Sequence, residues 1–368
     1  MIGIIILGFL GLITIGGILF VNLSPEFGGK HRKEDIRRYE TSGHFKDGIF
    51  HNITPTNMHM SPKDIAKITF KYLFEKNEKV PNTEPPIEKV DSLTIANTNE
   101  DFSFVWFGHS TFYIKMGNKN ILLDPMFSEV PAPHPSLGNK RFQKELPIDL
   151  EKLPEIDYVF ISHDHYDHLD YKSIKKLRKK VKHFFVPLGV GAHLRKWGVE
   201  ESQFHELNWW DEFETDNLKF VFTPSRHFSG RGPANRFSTL WGSWVIQSQN
   251  KKIYFSGDGG YDAHFSDIGD KYGPFDLAFI ECGQYNKLWS EIHMMPEETA
   301  IAARDLKAKV FMPIHWGAFT LAMHAWNEPI KRVIIKANEL DLKLIAPMIG
   351  DFVNLNDSIP EVSPWWNI

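Results

Sequence analysis

The sequence predicts an α/β fold in which mixed β-sheets are flanked by helices, carried behind an N-terminal transmembrane segment. Three observations lead there. The chain opens on an apolar run, MIGIIILGFLGLITIGGILFVNL. From residue 102 short apolar runs with strand character alternate with helical patterns, and the earliest runs form a hairpin, which implies antiparallel pairing. Polar motifs rich in His and Asp fall just after the C-terminal ends of the runs, where sites gather in layered α/β folds.

The opening segment has no charged side chain before Glu26. About 21 apolar residues at 1.5 Å rise span roughly 30 Å, the hydrocarbon thickness of a bilayer. A cleaved signal peptide would have a basic start and an A-x-A-like cleavage site, and the run has neither. A buried core helix would show a polar face. Lys30, Arg32, Lys33, Arg37 and Arg38 follow the segment and none precedes it, which places the body in the cytoplasm by the positive-inside rule. The expected organisation is an anchor over 1–23, a polar linker and wrap over 24–100 with one helix near 62–76, and a catalytic domain over 101–368.

Within that domain FSFVWF (102–107) and TFYIKM (111–116) read as strands, and TFYIKM pairs with ILL around GNKN as a hairpin. DYVFI (157–161) is an apolar strand that runs into a histidine loop, and Asp170 can cap the helix YKSIKKLRKK. LKFVFT (218–223), SWVIQS (243–248) and KIYFS (252–256) are further strands, FDLAFIEC (275–282) and KVFMPI (309–314) are strands of buried type, and KLIAPMI (343–349) closes the set. PEETAIAARDL (296–306) opens with Pro and acids, as a helix N-terminus should. Trp209, Trp210, Trp241 and Trp244 are expected in the core, with Tyr261 and Tyr285 as pocket residues.

Composition is that of a globular protein: of 368 residues 42% are hydrophobic and 24% charged. Lys plus Arg is 42 against 46 Asp plus Glu, a net charge of −4 that gives no support for a nucleic-acid partner. The single cysteine, Cys282, excludes an intrachain disulfide and suits a reducing compartment. Histidine is more informative, because several of the 17 are clustered. SHDHYDHLD holds His163, His165, Asp167 and His168 within six residues, and imidazole and carboxylate are the preferred non-thiolate zinc ligands. His163 and His165 are two apart and can share one ion; Asp167 and His168 can turn to a second. TPSRHFSG, FSGDGGY and MPIHWG each follow a strand and offer His227, Asp258 and His315. None of these three identifies a site alone. Together they repeat one arrangement: a strand, a single ligand, then small residues.

This combination resembles the metallo-β-lactamase superfamily, whose pattern is H-x-H-x-D-H followed by His, Asp and His. Within it the chain resembles the N-acylphosphatidylethanolamine-hydrolysing phospholipase D family through WFGHSTFYIKM, LLDPMFS, GNKRF, ISHDHYDHLDY, FVPLGV, FVFTPSRHFSGR, LWGSW, GDGGY, GPFDLAFI, HMMPEETA and IHWGAF, in family order from about residue 104 to 320. The resemblance implies an αββα sandwich of two mixed sheets and two Zn2+ per chain. His163, His165 and His227 would hold one ion, Asp167, His168 and His315 the other, and Asp258 would bridge them. It assigns His293 a place near the reaction centre; read alone, that residue is a helix cap or a surface histidine. His109 is read as structural or supporting, and Asp124 as a hydrogen-bonding support of the site.

The expected activity is hydrolysis of N-acylphosphatidylethanolamine to N-acylethanolamine and phosphatidic acid. Paired ions suit it because they activate water and stabilise charge on phosphoryl oxygens. Asp258 and His293 are the expected catalytic residues, a phospholipid and a membrane the expected partners, and a homodimer is compatible with this reading. The alternatives are a lactonase or another phosphodiesterase on the same site, or a catalytically silent membrane scaffold, against which the complete ligand set argues. Iron or manganese could replace zinc at such ligands. The apolar N-terminus and the poor match before residue 100 depart from the mammalian form.

Overall fold

The computed structural model describes residues 2–58, 60–74, 78–97, 102–215, 217–356 and 360–368. In chain order its elements are α1 Ile2–Leu23, α2 Lys33–Glu40, β1 Phe45–Lys46, β2 Ile49–Phe50, α3 Pro62–Phe74, α4 Ser92–Asn97, β3 Ser103–Trp106, β4 Phe112–Met116, β5 Lys119–Leu123, β6 Ile156–Phe160, α5 Tyr171–Leu177, β7 Val181–Pro187, α6 Gly191–Lys196, β8 Phe204–Leu207, β9 Glu212–Glu214, β10 Lys219–Thr223, β11 Ser243–Gln247, β12 Lys252–Phe255, α7 His264–Tyr272, β13 Leu277–Glu281, α8 Pro296–Asp305, β14 Phe311–Ile314, α9 Glu328–Glu339 and β15 Phe352–Asn354. The window Ile6–Leu23 has a mean hydropathy of 2.3 and is unburied, so α1 is long and apolar enough to cross a membrane.

Two sheets stack face to face. One runs β15-β3-β4-β5-β6-β7-β8, the other β14-β13-β12-β11-β10-β9. Each is antiparallel on one side and parallel on the other: β3–β4–β5 form a meander and β5 to β8 are parallel, while β9 to β12 are antiparallel and β12 to β14 parallel. Side chains alternate along a strand with period two, so each buried strand feeds two layers. Phe104 and Trp106 of β3 enter the core between the sheets, whereas Val105 joins the layer beneath α5 and α6. Aromatic contacts bridge the sheets, Phe112 to Phe279 at 4.3 Å and Phe160 to Phe220 at 4.8 Å between ring centroids. Helices α7, α8 and α9 cover the second sheet with Phe265, Ile268, Ala303, Ile330 and Val333. The result is the expected αββα sandwich.

The run 343–349 is not a strand. Pro347 lacks the N–H a ladder needs, and the segment makes only isolated bridges, Leu344 to Phe311 and Ile349 to Ile87. The closing strand is β15, paired with β3. The helix after Asp170 ends at Leu177, and β7 follows directly, with no Gly or Pro to mark the change. Residues 75 and 76, the end of the expected helix near 62–76, lie outside the described residues. Trp209, Trp241 and Trp244 are buried, while Trp210 is half-buried and packs against the core. The segment after α1 is no free tether: Tyr39 and Phe50 are buried in the inter-sheet core.

Candidate metal centre

Loops leaving β3, β6, β10, β12 and β14 meet at one edge of the sandwich. The loop after β6 carries His163, His165, Asp167 and His168 and ends in Asp170, whose carboxylate caps α5 by accepting from Lys172 N and Ser173 N. The loop after β10 brings His227, held by a residue of the wrap: Asn52 donates to His227 O at 2.8 Å and accepts from His227 N at 3.1 Å. The turn after β12 supplies Asp258. His315 follows β14 with φ 68°, and His109 follows β3 with φ 56°. These two left-handed residues brace each other: His315 N donates to His109 O at 3.1 Å, and His109 N to Trp316 O at 3.3 Å. Strain of this kind persists only where surrounding contacts impose it, and here it ties one sheet to the other at the site.

All seven expected ligands are brought together. Ligand-type atoms of His163, His165, His227 and Asp258 lie within 4.8 Å of one another, as do those of His109, Asp167, His168 and His315. His165 Nδ1 stands 2.9 Å from His163 Nε2 and 3.3 Å from His227 Nε2. Asp258 Oδ2 is 3.7 Å from His163 Nε2, 3.9 Å from His227 Nε2 and 3.1 Å from His168 Nε2, so one carboxylate reaches both groups.

The residues fit a pair of cations. Three imidazole nitrogens converge on one point in a buried space. His168 Nε2 and Asp258 Oδ1 are buried with no well-aligned hydrogen bond, although each has a neighbour of opposite kind at 3.1 Å, and an ion between them would satisfy both. Burial, reinforced by neighbouring histidines, holds His163, His227 and His315 well below the usual imidazole range and brings His165 to about 4. Neutral imidazole is the ligating form. Supporting bonds choose the nitrogen each ring offers. His168 Nδ1 donates to Asp124 Oδ2 at 2.6 Å, and His227 Nδ1 to Ile292 O at 2.9 Å, leaving Nε2 of both rings for the centre. His109 Nε2 donates to Asp167 Oδ2 at 2.8 Å.

Asp258, Glu281, His293 and His315 form a third close group. Sequence reasoning missed Glu281. Its side chain is fully buried, accepts from Gly259 N at 2.9 Å beside Asp258, and pairs through Oε1 with His293 Nδ1. Burial pushes it well above the usual carboxylate range. The available signal was one acid at the end of the apolar run LAFIE, since an acid is rarely buried without a partner. Asn52 left no signal, because only the fold brings it to His227.

The centre opens into a cavity of about 340 Å³. Met58, Met60, Phe228, Leu288 and Ile292 give it an apolar rim, and His293 and Arg236 line it. Neither Tyr261 nor Tyr285 does: Tyr261 OH donates to Asp305 and Tyr285 OH to Glu328, so both serve the fold, although Tyr285 lines a neighbouring cavity.

Residues 119–316 match the beta-lactamase superfamily domain, a span that contains all seven ligand candidates. The chain is 36% identical over 339 residues to an uncharacterized protein of Mycobacterium bovis, covering 89% of this chain and 88% of that one. It is 31% identical over 258 residues to the N-acyl-phosphatidylethanolamine-hydrolyzing phospholipase D 1 of Caenorhabditis elegans, covering 67% of this chain and 72% of the relative. Among solved structures, an isothiocyanate hydrolase from Delia radicum gut bacteria shares the fold, with a TM-score of 0.54 at 19% identity over 68% of this chain and 98% of that one. The chain is therefore a metal-dependent hydrolase of the metallo-β-lactamase superfamily and belongs to the family of the N-acyl-phosphatidylethanolamine-hydrolysing phospholipases D.

Proposed function

We propose that this protein is a membrane-associated, dizinc phosphodiesterase that hydrolyses N-acylphosphatidylethanolamine to N-acylethanolamine and phosphatidic acid. The observation that carries the reading is the convergence of two His/Asp groups, sharing Asp258, on a cavity with an apolar rim. His163, His165 and His227 would hold one ion, Asp167, His168 and His315 the other, and Asp258 both. Two bound ions supply an activated water and charge stabilisation at phosphorus. The chain's own residues do the rest. The apolar rim suits acyl chains, and Arg236 offers a cation for the phosphodiester. Glu281 fixes Nδ1 of His293, so that Nε2 remains to exchange a proton with the leaving ethanolamine oxygen. Helix α1 would keep the cavity beside lipid headgroups, with the basic residues after it on the cytoplasmic side.

The test is release of N-acylethanolamine from a labelled N-acyl lipid, with and without chelator, alongside metal analysis. Two zinc ions per chain and chelator-sensitive release are expected, and Asp258→Asn should abolish most of the activity. Cleavage of a lactone or another phosphodiester without that release would favour the other hydrolase reading.

A further inference from the structure

The short turn between α1 and α2 is built into the back of the metal-binding loop. His163 and His165 face the centre, while Asp164 between them turns to His193 and Tyr166 beside them packs on Phe27. Gly29 N donates to His193 Nδ1 at 2.9 Å, which leaves the ring proton on Nε2 to meet Asp164 Oδ2 at 3.3 Å. The other Asp164 oxygen accepts from Gly230 N at 2.7 Å, three residues past His227. Arg231 repeats the link: its Nε donates to Glu26 O at 2.7 Å and its Nη1 to the carbonyls of Asp164 and Leu169. Trp197 Nε1 and Lys196 Nζ hold the carbonyls of Pro25 and Gly28, each at 2.8 Å. Edge-on rings continue the path from Phe20 in α1 to Phe27 at 5.3 Å, and from Phe27 to Tyr166 at 6.4 Å. His193 and Asp164 are fully buried, and Arg231 is nearly so. The two glycines of the turn leave no room for a side chain: a Cβ on Gly28 would lie 2.0 Å from His193 Nδ1, and one on Gly29 1.9 Å from Ala192 O.

We propose that residues 25–29 are a positioning element of the metal centre: the turn directly after the apolar helix fixes, through His193 and Arg231, the backbone that aims His163, His165 and His227 at their ion. The proposal rests on reading those three histidines as ligands of one ion. Bonds that orient a ligand from behind change metal affinity without touching the metal. The apolar helix and the centre are thus joined by a packed path that runs through this turn.

The test uses the full-length chain in detergent, loaded with two cobalt ions and challenged with chelator at a temperature well below unfolding. Three variants are compared with wild type. Gly29→Ala displaces the turn. His193→Gln keeps a donor for Asp164 but loses the acceptor for Gly29. His193→Asn keeps the acceptor and loses the donor. In all three, release of the ion of the three-histidine site should be about tenfold faster or more, with that site's cobalt spectrum altered. Release of the second ion should stay within about twofold of wild type. Wild-type release in His193→Gln and Gly29→Ala would overturn the proposal. If Gly29→Ala fails to fold, His193→Gln alone decides. A wild-type chain that binds fewer than two ions would defeat the ligand reading instead, which separates the two failures.

Discussion

Asp124 sits where one atom's exchange should be felt by the metal. It is fully buried and takes three hydrogen bonds: Ser162 N on Oδ1 at 2.7 Å, and Ser162 Oγ at 2.5 Å and His168 Nδ1 at 2.6 Å on Oδ2. Its φ is 37°, a left-handed value that Asn tolerates as well as Asp, so Asp124→Asn adds no backbone strain. An amide can present its oxygen to only one side. With oxygen toward His168, the NH2 faces Ser162 N–H and two donors collide. With NH2 toward His168, Nδ1 must become the acceptor and the ring proton moves to Nε2, the atom turned to Asp258. The first arrangement forfeits one buried hydrogen bond, about 1–3 kcal/mol, and the second protonates the nitrogen that faces the centre. Supporting partners of a ligating histidine typically alter metal affinity 10- to 100-fold, about 1.4–2.7 kcal/mol. The assay is competition with a chromophoric chelator, read separately for the two ions. The ion at the proposed site of Asp167, His168 and His315 should weaken by roughly 10- to 100-fold while the one at the proposed three-histidine site changes little. Unchanged affinity at both sites would refute the view that Asp124 selects the histidine's ligating nitrogen.

Three further predictions concern His293 with Glu281, His264 and the N-terminal segment. His293→Ala should lower kcat by roughly 100-fold or more with two metals retained, and Glu281→Gln by about tenfold through a mis-set ring; steady-state kinetics with metal analysis would contradict this if kcat held. His264 is buried, with its imidazole lowered to about 4 by desolvation. Its unfolded form takes up a proton below about 6.5 and the folded form does not, so its contribution is complete above that pH and is lost as pH falls toward 4. Wild type should therefore lose about 2 kcal/mol more than His264→Phe between pH 7 and 5, and equal losses in urea titrations would refute the assignment. Deleting residues 1–23 should release the protein from membranes with both ions bound, whereas deletion through residue 31 should also weaken the three-histidine ion. Equal metal retention in the two truncations would count against the coupling.

Much of this protein is legible before folding. Apolar runs reveal most strands because burial on both faces leaves no alternation to confuse them, as in LAFIE of β13. Several elements escape, and for local reasons. The strand β7 follows a lysine-rich helix without Gly or Pro between them, and β15 is a short strand that pattern alone cannot separate from the apolar stretch containing Pro347. The helices α7 and α9 do show helical apolar spacing, Phe265, Ile268 and Tyr272 in one and Ile330, Val333 and Ala337 in the other, whereas α6, Gly191–Lys196, is too short to show one.

The sequence by itself determined the chemistry: which residues can bind a metal, and that they follow strand ends, because ligand type and spacing are properties of the chain. Only the tertiary structure decided how they act together. Nothing local in the sequence says that Asp258 reaches both groups, that Glu281 stands behind His293, or that Asn52 grips His227. Those pairings join residues 12 to 175 positions apart, and they exist because two sheets stack with their loop ends at one edge. The turn after α1 makes the same point. Its glycines look like ordinary linker residues until packing removes the space that any side chain would need.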